Sequence, residues 1–106
     1  MKKNRKATCV FKAKITLANG LLSEGVIWNI PRTDRYIDGV RYRLVLVDVF
    51  SGGILVLFDN HFPKGHHRHL ENGLEVRYVF HSVEKLVADY RDAIEWEVRK
   101  RANQKN

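Results

Sequence analysis

One cysteine, two prolines and no long apolar run set the first limits on this chain of 106 residues. Cys9 has no second thiol with which to close an internal disulfide or a cysteine-based zinc cluster. That suits a reducing cytoplasm, and the expected role of Cys9 is a small buried apolar side chain. With so little proline, and only seven glycines, the chain is neither a linker nor a low-complexity segment. The opening MKKNRK resembles the start of a signal peptide, but Lys12 and Lys14 interrupt the apolar stretch that would have to follow. No run approaches the roughly 20 apolar residues of a membrane span. A soluble, cytoplasmic protein with no membrane partner is expected. Acidic residues are also scarce, 12 against 19 lysines and arginines, giving a formal charge of +7 and a pI near 9.8. That excess favours a polyanionic partner such as RNA, DNA or an acidic protein.

What is present suffices for one core. Hydrophobic residues make up 44% and charged residues 29% of a length typical of a single domain, so 1–106 is expected to be one unit. Residues 1–6 form a basic arm (Lys2, Lys3, Arg5, Lys6), residues 7–81 a sheet, and residues 82–101 a helix. Within 7–17, Cys9, Phe11, Ala13, Ile15 and Leu17 alternate against Thr8, Val10, Lys12, Lys14 and Thr16, the period of a strand with one solvated face. Asn19-Gly20 then signals a hairpin into LLSEGVIWNI, with a bulge expected near Gly25. A third strand follows in VRYRLVLVDVF, a fourth in ILVLFD, apolar enough to be covered on both faces, and a fifth in LEVRYVFH. Trp28, Tyr42, Phe58, Tyr78 and Phe80 are expected in the core. Ser82 reads as a helix N-cap with Glu84 in the first turn. From there Val83, Leu86, Val87, Tyr90, Ile94 and Val98 form the apolar stripe of an amphipathic helix ending near Arg101, with a frayed tail. Trp96 lies off that stripe, and Asp89 and Glu95 read as solvated. The fold class is α+β: an antiparallel sheet of about five strands packed by one long C-terminal helix.

One segment resists a purely structural reading. DNHFPKGHHRH, Asp59 to His69, holds four of the five histidines in eleven residues and leaves the end of the fourth strand. Histidines titrate near neutral pH and serve as base and acid when a ribose 2′-hydroxyl attacks the adjacent phosphate, while cations stabilise the charged phosphorane. His67 and His69 come first, because alternation in an extended segment puts them on one face with Arg68 opposite. His66 and Asp59 complete the catalytic candidates. Lys64, Arg68, Arg43, Asn60 and His61 are the candidate substrate contacts. Two other readings stay open: Asp59, His61, His66, His67 and His69 as zinc or nickel ligands, although without a recognised ligand spacing, or a solvated basic loop that grips a partner. The preferred reading requires no cofactor and assigns no metal.

The ordered set VIW, YRLVLVD, DNH, GHHRH and YVFHSVEKLVADY resembles the TumE family of small toxin-antitoxin proteins. The resemblance rests on Trp28, Tyr42, Arg43, Leu44, Asp59, Asn60, Gly65, His67, His69, Tyr78, Phe80, Ser82, Glu84 and Leu86, and covers about residues 7 to 98. At one place this chain departs: related chains often carry a histidine shortly before the Tyr-Arg-Leu strand, where Asp38 stands here. The resemblance implies the toxin of a type II-like pair in a prokaryotic cytoplasm, neutralised by direct binding of a helix-turn-helix antitoxin protein. The resemblance does not by itself identify a target or a reaction; the basic charge and the histidine segment make RNA the expected target and the chain a candidate endoribonuclease. The alternative is a module that binds nucleic acid or protein without catalysis, or a metal-binding protein using the same loop. Self-association into a homodimer is not decided by the sequence.

Overall fold

Strands β1 (Thr8–Leu17) and β2 (Leu21–Asn29) pair antiparallel across the turn Ala18–Gly20 in the computed structural model, which describes residues 6–70 and 72–104. Asn19 (φ 64°) and Gly20 (φ 75°) take the left-handed backbone that this turn demands, and those two residue types adopt it most readily. The expected bulge lies elsewhere, between Cys9 and Phe11 on β1. Gly25 stays in register between Ala13 and Leu44, where a Cβ would stand 2.6 Å from Leu44 Cδ2. Its missing side chain thus admits close packing and not a bulge. Cys9 is exposed on this edge strand, beside the irregularity, and does not fill the buried role expected of it.

Strand β3 (Val40–Asp48) and strand β4 (Ile54–Asp59) continue the meander, followed by β5 (His67–His69) and β6 (Glu75–Arg77). All neighbours are antiparallel and the spatial order follows the chain, giving six strands where five were expected. The extra strand is the end of the histidine segment, which pairs Asp59 with His67 and Phe58 with Arg68. The last strand is shorter than its alternation suggested. Only Glu75–Arg77 pairs, although Tyr78 N still donates to His66 O at 3.2 Å. Lys2, Lys3 and Arg5 of the expected basic arm lie outside the described residues, as do Lys105 and Asn106 of the tail.

Helix α1 (Val83–Gln104) begins as its sequence requires: Ser82 Oγ accepts from Lys85 N at 3.0 Å, and Glu84 lies in the first turn, where the helix dipole favours an acid. It runs three residues past Arg101, into the segment expected to fray. The helix covers one face of the sheet. Leu21, Ile27, Tyr42, Leu44, Leu46 and Phe58 meet Leu86 and Tyr90 there, with Val83, Val87, Ile94 and Val98 packed around them. Tyr90 pins the two layers: its hydroxyl donates to Val45 O at 2.7 Å and lies 2.8 Å from Ser23 Oγ. Asp89 is not simply solvated, for it accepts from Tyr78 Oη at 2.6 Å and from Lys85 Nζ at 2.7 Å. Burial opposes its ionisation, but those two hydrogen bonds outweigh burial and hold the carboxyl below its usual range. Among the described residues, no helix covers the other face of the sheet and none is long and apolar enough to cross a membrane.

Candidate functional site

Because strand register sets which side chains share a face, the uncovered face is read directly from the pairing. Lys12, Val26, Arg43, Asp59, His67 and Arg77 are successive cross-strand partners from β1 to β6. Lys14, Glu24, Val45, Leu57, His69 and Glu75 form the neighbouring row. Trp28, opposite Arg41, stands on the same face and is 37% exposed, so it is not the core residue that its strand position suggested. The strand places it correctly in sequence but on the side that α1 leaves open.

Toward β5 this face deepens into a cavity of about 360 Å³ lined by Arg43, Asp59, His61, Lys64, His67 and His69, with Leu57 and Pro63 among its apolar walls. The His67 and His69 rings stand 5.3 Å apart, centroid to centroid. His67 Nδ1 lies 2.8 Å from Gly65 O. A carbonyl only accepts, so Nδ1 carries the proton and Nε2 of the neutral ring keeps a free lone pair. His69 Nε2 is 3.4 Å from Glu75 Oε1, and Lys64 Nζ donates to the same oxygen at 2.9 Å. The Lys64 hydrogen bond, only partly offset by desolvation, holds the Glu75 carboxyl below its usual range.

A family model described as Toxin TumE matches residues 2–100. The chain belongs to the TumE toxin family. Neither curated proteins nor solved structures gave a match.

In this TumE-family chain, His67, His69, Asp59, Lys64, His61 and Arg43 all reach the same cavity. Asp59 Oδ1 accepts from His61 N at 2.7 Å, and Arg43 Nε stands 3.9 Å from Asp59 Oδ2. Arg41 Nη2 donates to His61 Nε2 at 2.8 Å, which leaves the proton of the neutral ring on Nδ1, facing Asp59 at 3.4 Å. Three expected site residues lie elsewhere. His66 turns to the helix side and stacks on Phe80 at 4.8 Å. Its Nε2 faces Asp38 Oδ2 at 2.8 Å and its Nδ1 faces Tyr42 Oη at 2.9 Å. The carboxylate can only accept, so Nε2 carries the proton and Nδ1 receives the Tyr42 hydroxyl hydrogen. Burial, reinforced by Tyr78, Asp59 and Asp38, pushes the Tyr42 phenol up and keeps it a donor. Asp38 therefore fixes the loop through His66.

Arg68 also faces the helix, with its guanidinium 4.7 Å from the centre of the Phe58 ring, because it is the middle residue of β5. It lines a separate cleft of about 820 Å³ between α1 and the sheet, which Trp96, 61% exposed, also lines. Asn60 is 3% exposed, and its amide is fully engaged within the fold: Oδ1 accepts from Tyr42 N and Nδ2 donates to Val40 O, both at 2.9 Å. It ties β3 to the root of the loop. Asn60→Ala orphans both backbone groups, at about 1–3 kcal/mol each. Chemical denaturation should show that loss, while the protein still folded binds RNA as tightly as the unaltered chain. Weaker RNA binding at full stability would restore Asn60 to the site. The sequence reading puts Lys12 and Lys14 on the solvated side of the first strand but names neither them nor Glu75 and Arg77 as site candidates, although the 67/69 and 75/77 alternation across the turn at Asn72-Gly73 was a usable signal.

Proposed function

We propose that this TumE-family chain is the toxin of a type II-like toxin-antitoxin pair and cleaves RNA on its open sheet face without metal. The observation that carries this reading is the pair of imidazoles, 5.3 Å apart, on a face that crosses Lys12, Arg43 and Arg77 in one row. An uncovered sheet with cations and an exposed tryptophan suits a single-stranded nucleic acid, whose phosphates meet the cations and whose bases stack on Trp28. His67 Nε2, whose lone pair the Gly65 contact leaves free, takes the proton of the 2′-hydroxyl. The hydroxyl oxygen attacks phosphorus, the bond from phosphorus to the 5′-oxygen breaks, and protonated His69 supplies the proton to that leaving oxygen. Arg43 and Lys64 face the negative charge that builds on the phosphorane. The products are a 2′,3′-cyclic phosphate and a free 5′-hydroxyl. The cytoplasm of a prokaryote is the setting, and a helix-turn-helix antitoxin is the protein partner.

Incubating purified protein with single-stranded RNA in excess chelator tests the reaction. New ends bearing 2′,3′-cyclic phosphate are expected. Intact RNA that is nevertheless bound tightly, with affinity falling as salt rises, would shift the reading to a toxin acting by occupancy.

A further inference from the structure

The strands β5 and β6 bring together three donors from the two sides of one turn. His67 and His69 are two residues apart on one strand and so face the same side, while Glu75 is the cross-strand partner of His69. One ligand atom from each of the three falls within 4.8 Å of the other two. Around a tetrahedral zinc ion, with bonds of about 2.0 to 2.2 Å, neighbouring ligand atoms stand roughly 3.3 Å apart. His69 Nε2 and Glu75 Oε1 are already 3.4 Å apart. His67 is 7% exposed and held by Gly65 O, so the remaining separation is left to rotation of the part-buried His69 and the exposed Glu75.

Three further features suit this set to a cation. His67 Nδ1 is engaged by Gly65 O at 2.8 Å, which orients the ring and leaves Nε2 free to ligate, the outer arrangement typical of a ligating histidine. Lys64 already places an ammonium 2.9 Å from Glu75 Oε1, so a positive charge stands at the position in question and its exposed stem can swing away. The cavity is open to solvent on the sheet's uncovered side, which provides a path of entry. Two imidazoles and one carboxylate select zinc or nickel over magnesium or calcium, which prefer all-oxygen sites.

We propose that His67, His69 and Glu75 form a site for a divalent transition metal of the zinc class, and that its occupancy blocks the face used for RNA. The second half rests on the ribonuclease reading, because a metal on both imidazoles removes the base and the acid together. Reversible metal binding would then switch the toxin off without an antitoxin.

Calorimetric titration of the full chain with zinc chloride tests the site without reference to activity. One ion per chain is expected. Glu75→Gln, which keeps size and shape, and His69→Ala should each weaken binding by more than the ~10- to 100-fold lost when an outer partner of a metal site is disturbed. Lys64→Met should tighten it, because the competing ammonium is gone. His81→Ala, a histidine outside the cluster, should leave it unchanged. Absent zinc binding, or wild-type affinity in both Glu75→Gln and His69→Ala with the fold verified by circular dichroism, overturns the site. RNA cleavage assayed with and without zinc separates the two halves. Cleavage that persists with zinc bound overturns the blocking role alone. If RNA stays intact even in chelator, the ribonuclease reading and the blocking role fall together, and the titration still decides the metal site.

Discussion

Induced expression of a His67→Ala, His69→Ala double variant is expected to leave growth and cellular RNA intact, where the unaltered chain halts growth and generates new RNA ends. General acid and general base each contribute about 10²- to 10⁴-fold, and groups that act as a unit lose most of the effect with the first removal. His67→Ala alone should therefore approach the double variant in turnover. RNA affinity should fall much less, since Lys12, Arg43 and Arg77 still lie in one row across the face. The structural cost falls mainly on His67, which is 7% exposed and loses its packing as well as one bond to Gly65 O, while His69 loses its approach to Glu75. Circular dichroism of the purified variants excludes unfolding as the cause. Equal growth arrest by both proteins with intact RNA would end the catalytic assignment and return the two histidines to a basic binding surface.

A different large effect is expected beneath the site. Phe58→Ala should destabilise the fold by about 3–5 kcal/mol, the usual cost of emptying a buried aromatic position. The ring is 0% exposed and meets Tyr78 and Tyr90 edge-on at 5.1 and 6.0 Å, and the Arg68 guanidinium lies over it. These contacts join β4, the approach to α1, the helix and β5 in one cluster, so little nearby can collapse into the void. Domains of this size hold about 5–15 kcal/mol in all, so the thermal midpoint should fall by more than about 10 °C. A fall under about 4 °C in a circular-dichroism melt would mean that the cluster repacks around the missing ring. Toxicity should drop as well, because Phe58 backs the strand that presents His67 and His69.

Local signals explain how much of this architecture is legible without coordinates. Asn19-Gly20 specifies its turn through left-handed backbone, Ser82 starts the helix by bonding Lys85 N, and Val40 to Leu44 alternate buried and exposed as a half-covered strand must. Each depends on residues at most a few positions apart. The family followed in the same way, from an ordered series of short motifs, and the family model matches residues 2–100. Trp28 and Cys9 mark where that logic stops. Alternation identifies the two sides of a strand but not which side the helix will cover, nor how far a bulge on an edge strand disturbs the pattern.

The histidine segment divides along the same line. Its composition, its position after a core strand and the shared side of His67 and His69 were written in the chain itself, because a period of two is a property of extended backbone. Only the tertiary structure turned its end into β5, sent His66 toward Asp38 and Tyr42, buried the Asn60 amide and set Glu75 against His69. Those outcomes depend on the register between strands, which is decided by the whole buried face at once. A shift of one residue would exchange every inward and outward side chain, and no short stretch of sequence carries that information.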